Sequence, residues 1–188
     1  HRLITEQEVL ARVLAEHRYA AVDKFVQEVC WRTYWKGWLQ MRAAVWRDYR
    51  QGVARAAEQL DRAAEGRYAA AVAGETGIAC LNHWARELVE TGYLHNHARM
   101  WFASIWIFTL QLPWALGADF FFRHLRDGDP ASNTLGWRWV AGIQTPGKNY
   151  VARAGNIQKF TEGRFYPRGQ LNESPEPLQD DVRYACQP

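Results

Sequence analysis

Apolar residues return every three or four positions along most of the chain, a rhythm that predicts helices, and no stretch alternates as a half-buried strand would. Thr5-Glu6-Gln7-Glu8 is a capping-box sequence, with Val9, Leu10, Val13 and Leu14 following at helical spacing. A first helix is expected over about 6–17. Phe25, Val29, Trp31, Tyr34, Trp35 and Trp38 continue the rhythm across 22–45, with Gly37 as the one interruption, which predicts a long second helix. Residues 51–74 are Ala-rich with interspersed Arg and Glu, as suits one solvated helix stopped at Gly74.

Two further helices are expected over 78–89 and 95–112, joined by the short Thr91-Gly92 turn, the second ended by Pro113. After an element at 119–125, Asp129 is placed to cap a helix whose first position is Pro130 and whose body carries Asn133, Trp137 and Trp139. Beyond Gly142 the pattern turns irregular, and the last twenty or so residues are proline-rich and aperiodic. The expectation is an all-α fold, with one helical domain over 1–165 and an irregular tail over 166–188.

Composition adds an oddity. Ten Trp, eight Tyr and eight Phe in 188 residues are more aromatic surface than a small helical core needs, since Leu, Ile and Val fill such cores. The most apolar stretch, 100–116, contains Ser104, Thr109, Gln111 and Pro113, so no membrane span is expected. Cys30, Cys80 and Cys186 are odd in number and lack metal-binding spacing, which points to a soluble, cytoplasmic chain without zinc or iron–sulfur. Net charge is only +3, but 123–168 carries eight Lys/Arg against three Asp/Glu, a weak hint of a nucleic-acid partner. The chain opens at His1, directly before a helical pattern, as one cut from a longer protein would.

Three groups of residues could carry chemistry. Glu28, Trp31, Arg32 and Trp35 share a helix face that could line an aromatic ligand, or could be a half-buried stripe with an ordinary Glu28–Arg32 pair. Asn96, Arg99, Met100 and Ala103 share another face in the most apolar segment, where a buried arginine needs a partner. Asp127 and Asp129 are the candidates, one to pair with Arg99 and one to cap its helix or accept from a ligand N–H. His95 and His97, two apart on a helix, should point to different sides, so no metal site is expected. Trp137 and Trp139 should likewise diverge, with Asn133 one turn below Trp137. No Ser or Cys sits in an activating context, which argues against hydrolase chemistry.

The segment Thr91-Gly92-Tyr93-Leu94-His95-Asn96-His97-Ala98-Arg99-Met100 resembles the TGxxHNRxRM motif of the photolyase/cryptochrome family. Asp127-Gly128-Asp129-Pro130-Ala131-Ser132-Asn133 and Gly136-Trp137-Arg138-Trp139 follow at the family's spacing. Weaker similarity runs from Glu28-x-x-Trp31-Arg32 through Thr76-Gly77 to Asn156-x-x-Lys159-Phe160. The resemblance implies a helical FAD-binding domain in which Arg32, Asn96, Arg99, Asp127, Asp129 and Asn133 hold FAD, with Arg99 paired to Asp127 and Asn133 facing flavin N5. It implies a mouth formed by Glu28, Trp31, His97, Met100 and Trp139 that receives a flipped-out pyrimidine dimer of damaged DNA. It further implies that Trp137 and Trp114 begin a tryptophan chain that photoreduces the flavin. Near Asp61, where a third tryptophan is expected, there is none, leaving Trp106, Trp46 or Tyr68 as substitutes.

The implied activity is a deoxyribodipyrimidine photo-lyase, in which FAD drives light-dependent repair of pyrimidine dimers. Asn133 matches photolyases better than plant cryptochromes, where aspartate is typical, while His97, Asn82 and Tyr93 stand where arginine, aspartate and tryptophan are usual. A cryptochrome-like blue-light receptor is the alternative, and a flavin-free helical remnant the third reading. The family's antenna-binding domain and phosphate-holding segment would precede His1, so an antenna chromophore is expected only on that missing part.

Overall fold

The computed structural model describes residues 4–180 and 182–186. Nine α-helices and one π turn are present among them, and no strand, as the periodicity required. Helix α1 (Glu6–Glu16) starts from the expected capping box: Glu8 N donates to Thr5 Oγ1 at 3.2 Å, and Thr5 N to Glu8 Oε2 at 2.7 Å. It buries no residue of its own and lies along α2 (Tyr19–Gln40).

The expected long second helix is two helices. Met41 and Arg42 turn the chain between α2 and α3 (Ala43–Glu58), with no glycine or proline at the break. The turn lets Leu39 and Val45 enter one apolar cluster with Ala131 and Leu135, a tertiary gain that outweighs helix continuity. The Ala-rich segment is also split, between α3 and α4 (Arg62–Ala73). Asp61 caps α4 by accepting from Ala64 N at 2.7 Å, and Gly74 ends it with a left-handed φ of +68°. A Cβ at Gly74 would stand 2.8 Å from Asn82 O, so only glycine fits that close approach.

Helix α5 (Ala79–Thr91) ends at Gly92, as expected, and α6 (Asn96–Ser104) begins after His95. The expected helix over 95–112 does not run through. At Ile105–Thr109 it widens into a π turn in which Leu110 N reaches Ile105 O at 2.9 Å, so one extra residue is taken into the helix. Trp106, fully buried in this turn, donates from Nε1 to Pro113 O at 3.0 Å. Pro113 then starts α7 (Trp114–His124), five residues earlier than the pattern suggested. Helix α8 (Pro130–Ala141) has the expected Asp129 cap and Pro130 start, and ends at Gly142.

The irregular region beyond Gly142 contains a short helix, α9 (Ala154–Phe160). The residues after it are not a free tail. Asn172 N donates to Thr109 Oγ1, Glu173 accepts from Ala154 N, Pro175 O accepts from Asn149 Nδ2, and Leu178 N donates to Ala141 O. Asp180 then pairs with the buried Arg138 at 3.1 Å, and Tyr184 lies 5.4 Å from the same guanidinium. This strap is held by polar contacts to loops and helix ends, which a hydrophobic period cannot reveal. The main core joins α5, α6, α7 and α8 around Trp101, Phe102, Trp106 and Phe121.

Among the described residues no helix is long and apolar enough to cross a membrane.

Candidate functional site

Helices α2, α6 and α8 enclose a cavity of about 590 Å³. Each helix presents one face to it, and the i, i+3, i+4 spacing selects the residues. Glu28, Trp31, Arg32 and Trp35 come from α2, Asn96, Arg99, Met100 and Ala103 from α6, and Ser132, Asn133, Gly136, Trp137, Trp139 and Val140 from α8. Asp127 and Asp129 reach it from the loop in front of α8, and Phe121 and Leu125 supply apolar floor.

The charged groups are tied to one another. Arg32 Nη1 meets Asp127 Oδ2 at 3.2 Å, and Arg32 Nε lies 3.6 Å from Glu6 Oε1. The partner of Asp127 is therefore Arg32, not Arg99 as the resemblance implied. Arg99 turns its Nε to Leu94 O at 2.8 Å, with its guanidinium 5.8 Å from the Tyr93 ring. Burial lowers the Arg99 pKa, and the nearby Asp127 carboxylate acts against that fall. Asp129 accepts from both the backbone N and the hydroxyl of Ser132 while capping α8. Asn133 is buried and donates from Nδ2 to Ala118 O at 2.7 Å, so its side-chain oxygen is the group left for a ligand.

The aromatic residues divide by depth. Trp137 is 3% exposed, and its Nε1 is buried without a hydrogen-bond partner. At the rim, Trp31 is 50% and Trp139 37% exposed, with Trp31 stacked 5.8 Å from Trp35 and Trp139 5.7 Å from Tyr150. Trp137 and Trp139 differ in burial, as their spacing suggested, yet both line the cavity.

Two residues named from the sequence stand elsewhere. Trp114 is stacked 5.7 Å from Tyr49, with the Arg138 guanidinium 5.9 Å from its ring. His97 lies on the opposite face of α6, stacked 5.4 Å from Trp101 and 4.9 Å from Phe160, in a second cavity of about 410 Å³. His95 shares that second cavity with it. His95 precedes α6 as its cap, accepting from His97 N at 3.3 Å, so the two rings come within 5.5 Å instead of diverging. Among the described residues no three His, Cys, Asp or Glu side chains converge as a metal site would need.

The sequence reading missed Ser132 and Phe121. Ser132 was within reach, because it stands at the third position of a helix capped by Asp129, where a short hydroxyl returns to the cap. Phe121 had no such signal, since only the packing of α7 behind α8 carries it to the floor.

Two guanidiniums, three carboxylates and two amides around an aromatic-lipped cavity suit a planar, polar ligand that carries both charge and hydrogen-bonding groups. The family model described as the FAD binding domain of DNA photolyase matches residues 25–170. A deoxyribodipyrimidine photo-lyase of Streptomyces griseus is 37% identical over 124 residues, which are 65% of this chain and 26% of that protein. One of Alkalihalophilus pseudofirmus is 34% identical, over 60% of this chain and 27% of its own length. Cryptochrome-1 of Arabidopsis thaliana is 36% identical over 52% of this chain and 14% of its own length. The chain thus spans about a quarter of the length of the two photo-lyases it matches. The cavity residues fit FAD on one specific ground: Asn133, on the cavity wall, has its amide nitrogen held by Ala118 O and keeps its oxygen for a ligand N–H.

Proposed function

We propose, since this chain belongs to the family of the FAD-binding domain of DNA photolyase, that its cavity holds FAD for light-driven repair of pyrimidine dimers in ultraviolet-damaged DNA. The observation that carries the proposal is the gathering of paired charges, two amides and two exposed indoles around one cavity. When bound, reduced FAD supplies the photoexcited electron that splits the dimer and then returns.

The protein's share is binding and orientation. Arg32 and Arg99 balance the ligand's negative charge, with Asp127 fixing Arg32 in place. The oxygen of Asn133 would accept a hydrogen bond from a flavin N–H, because Ala118 O already holds its amide nitrogen. Trp31 and Trp139 present ring faces at the mouth, where an extruded base pair stacks, and Met100 fills the apolar wall between. Glu28, exposed at the rim, accepts from base N–H groups. The exposed Lys148, Arg153, Lys159, Arg164 and Arg168 supply positive charge for the phosphate backbone.

A second reading, a blue-light receptor without repair activity, draws on the 36% identity to Cryptochrome-1. One experiment separates them. The chain is mixed with FAD, the bound fraction isolated, and ultraviolet-damaged oligonucleotide added under blue light. Restored thymines support repair. Bound, photoreducible flavin with undiminished lesions favours the receptor, and a colourless protein sinks both.

A further inference from the structure

On the side of α6 that faces away from the first cavity, four rings are laid one on the next. Trp84 stacks on Trp101 at 5.5 Å, Trp101 on His97 at 5.4 Å, and His97 meets Phe160 of α9 at 4.9 Å. Burial falls along the row. Trp84 and Trp101 lie in the core, His97 is half-buried, and Phe160 is 51% exposed. The row is braced from behind, because Trp101 Nε1 donates to Asn156 Oδ1 at 3.0 Å and so ties α6 to α9. An apolar ring left in water at the end of a braced stack, on the border of the second cavity, is a surface prepared for one more ring.

The groups around Phe160 select what that ring belongs to. Lys159 Nζ lies 5.4 Å from the centre of the Phe160 ring, and the Arg164 guanidinium, which lines the same cavity, 5.1 Å from that of Phe165. Two carboxylates also line it: Glu87, which faces His83 at 3.6 Å, and the exposed Glu162. Thr161 already donates its hydroxyl to Ile157 O and accepts from Phe165 N, so it is not available to read the edge of a base. A ring face with two exposed cations beside it and few free edge-reading groups matches a nucleotide bound by stacking, without regard to sequence.

We propose that Phe160, backed by His97 and Trp101, is a stacking platform for an unpaired base of a DNA single strand, with Lys159 and Arg164 taking the adjoining phosphates. The proposal rests on the reading that the partner is DNA. It is a second site, apart from the mouth at Trp31 and Trp139, and it gives His97 the task of backing this platform in place of the mouth position that the resemblance implied. Bases inside an intact duplex have both faces covered by their neighbours, so the platform selects single strands.

The test is fluorescence anisotropy of a labelled, undamaged oligothymidylate titrated with the whole chain, with and without FAD, the same result being expected in both. Phe160→Ala should weaken binding by about tenfold, and Phe160→Trp, which keeps a ring, should retain it. An abasic strand of equal length, which has the phosphates without the bases, should be indifferent to Phe160→Ala, and so should an undamaged duplex. No measurable binding of the oligothymidylate, an unchanged affinity in Phe160→Ala, or an equal loss for the abasic strand overturns the platform. Trp139→Ala keeps the two sites apart: adding Phe160→Ala to it should cost a further tenfold, and no further loss would place the effect at the mouth and sink the proposal. The undamaged strand needs neither lesion nor flavin. Failure to bind flavin or to repair lesions would therefore defeat the proposed function while this titration still decides the platform.

Discussion

Arg32 and Asp127 meet at 3.2 Å, joining the middle of α2 to the loop in front of α8 across ninety-five residues of chain. The contact closes the cavity from one side, and Glu6 of α1 is drawn into it through Arg32. Both side chains remain partly open to water, so the pair organises the site more than it stabilises the fold. Arg32→Ala is expected to cost less than about 1 kcal/mol in a urea melt. FAD affinity should fall by about tenfold, roughly 1.4 kcal/mol, in a fluorescence titration. In double-mutant cycles, coupling of Asp127 to Arg32 should exceed its coupling to Arg99.

Trp139 offers its ring at the mouth, supported from one side by Tyr150. Trp139→Ala should weaken binding of ultraviolet-damaged DNA by about 1–3 kcal/mol, the scale of one lost base–aromatic stack. Gel-shift titration reads this directly, and the undamaged duplex should be affected less.

The strap is a structural member. Asp180 is the ion-pair partner of Arg138, whose side chain is 7% exposed, and losing it would leave a buried charge uncompensated. Asp180→Ala is expected to destabilise by about 3 kcal/mol. Limited proteolysis should at the same time begin to cut within 170–186. Equal melting curves would show that Gln144, 3.3 Å from Arg138 Nε, suffices as a partner.

Cys80 is buried in the core, and desolvation lifts its pKa to about 11. A thiol reagent at neutral pH should therefore modify the exposed Cys30 and Cys186 and spare Cys80 until the chain unfolds. Because the folded pKa is raised, the unfolded chain loses this proton first as pH climbs. Its contribution to stability is complete below about pH 9 and declines toward pH 11, by on the order of 2 kcal/mol. Denaturant melts of wild type and Cys80→Ala at pH 8 and 10.5 should show a smaller pH dependence in the variant.

Local signals in the sequence located the helix ends that have local causes. Thr5 with Glu8, Asp129 with Pro130, and Gly74, Gly92 and Gly142 all act within a few residues, and each stands where expected. The breaks at Met41 and in the 105–109 turn have no such cause. They follow from where Leu39, Val45 and Trp106 are buried, which depends on helices far away in sequence. Asp61 was a readable cap hidden within an Ala-rich run, and α9 is too short to show a period. In the site, residues one helical turn apart were grouped correctly because a helix face is a local property. The partner of Asp127 was not legible, since Arg32 and Arg99 are equally suited to a carboxylate and only the packing chooses between them.

Helix α6 is a party wall. Asn96, Arg99, Met100 and Ala103 furnish one room, and His97, Ala98 and Trp101 the other. Successive residues differ by about 100° around the axis, so inserting or deleting one residue inside Asn96–Ser104 would turn the residues on one side of the edit out of place in both rooms at once. A deletion beyond Ser104 would meet the π turn, which already carries a surplus residue and can give it up. The wall is thus rigid in phase along Asn96–Ser104 and forgiving behind it, and loss of one residue should be better tolerated in the π turn than within the helix.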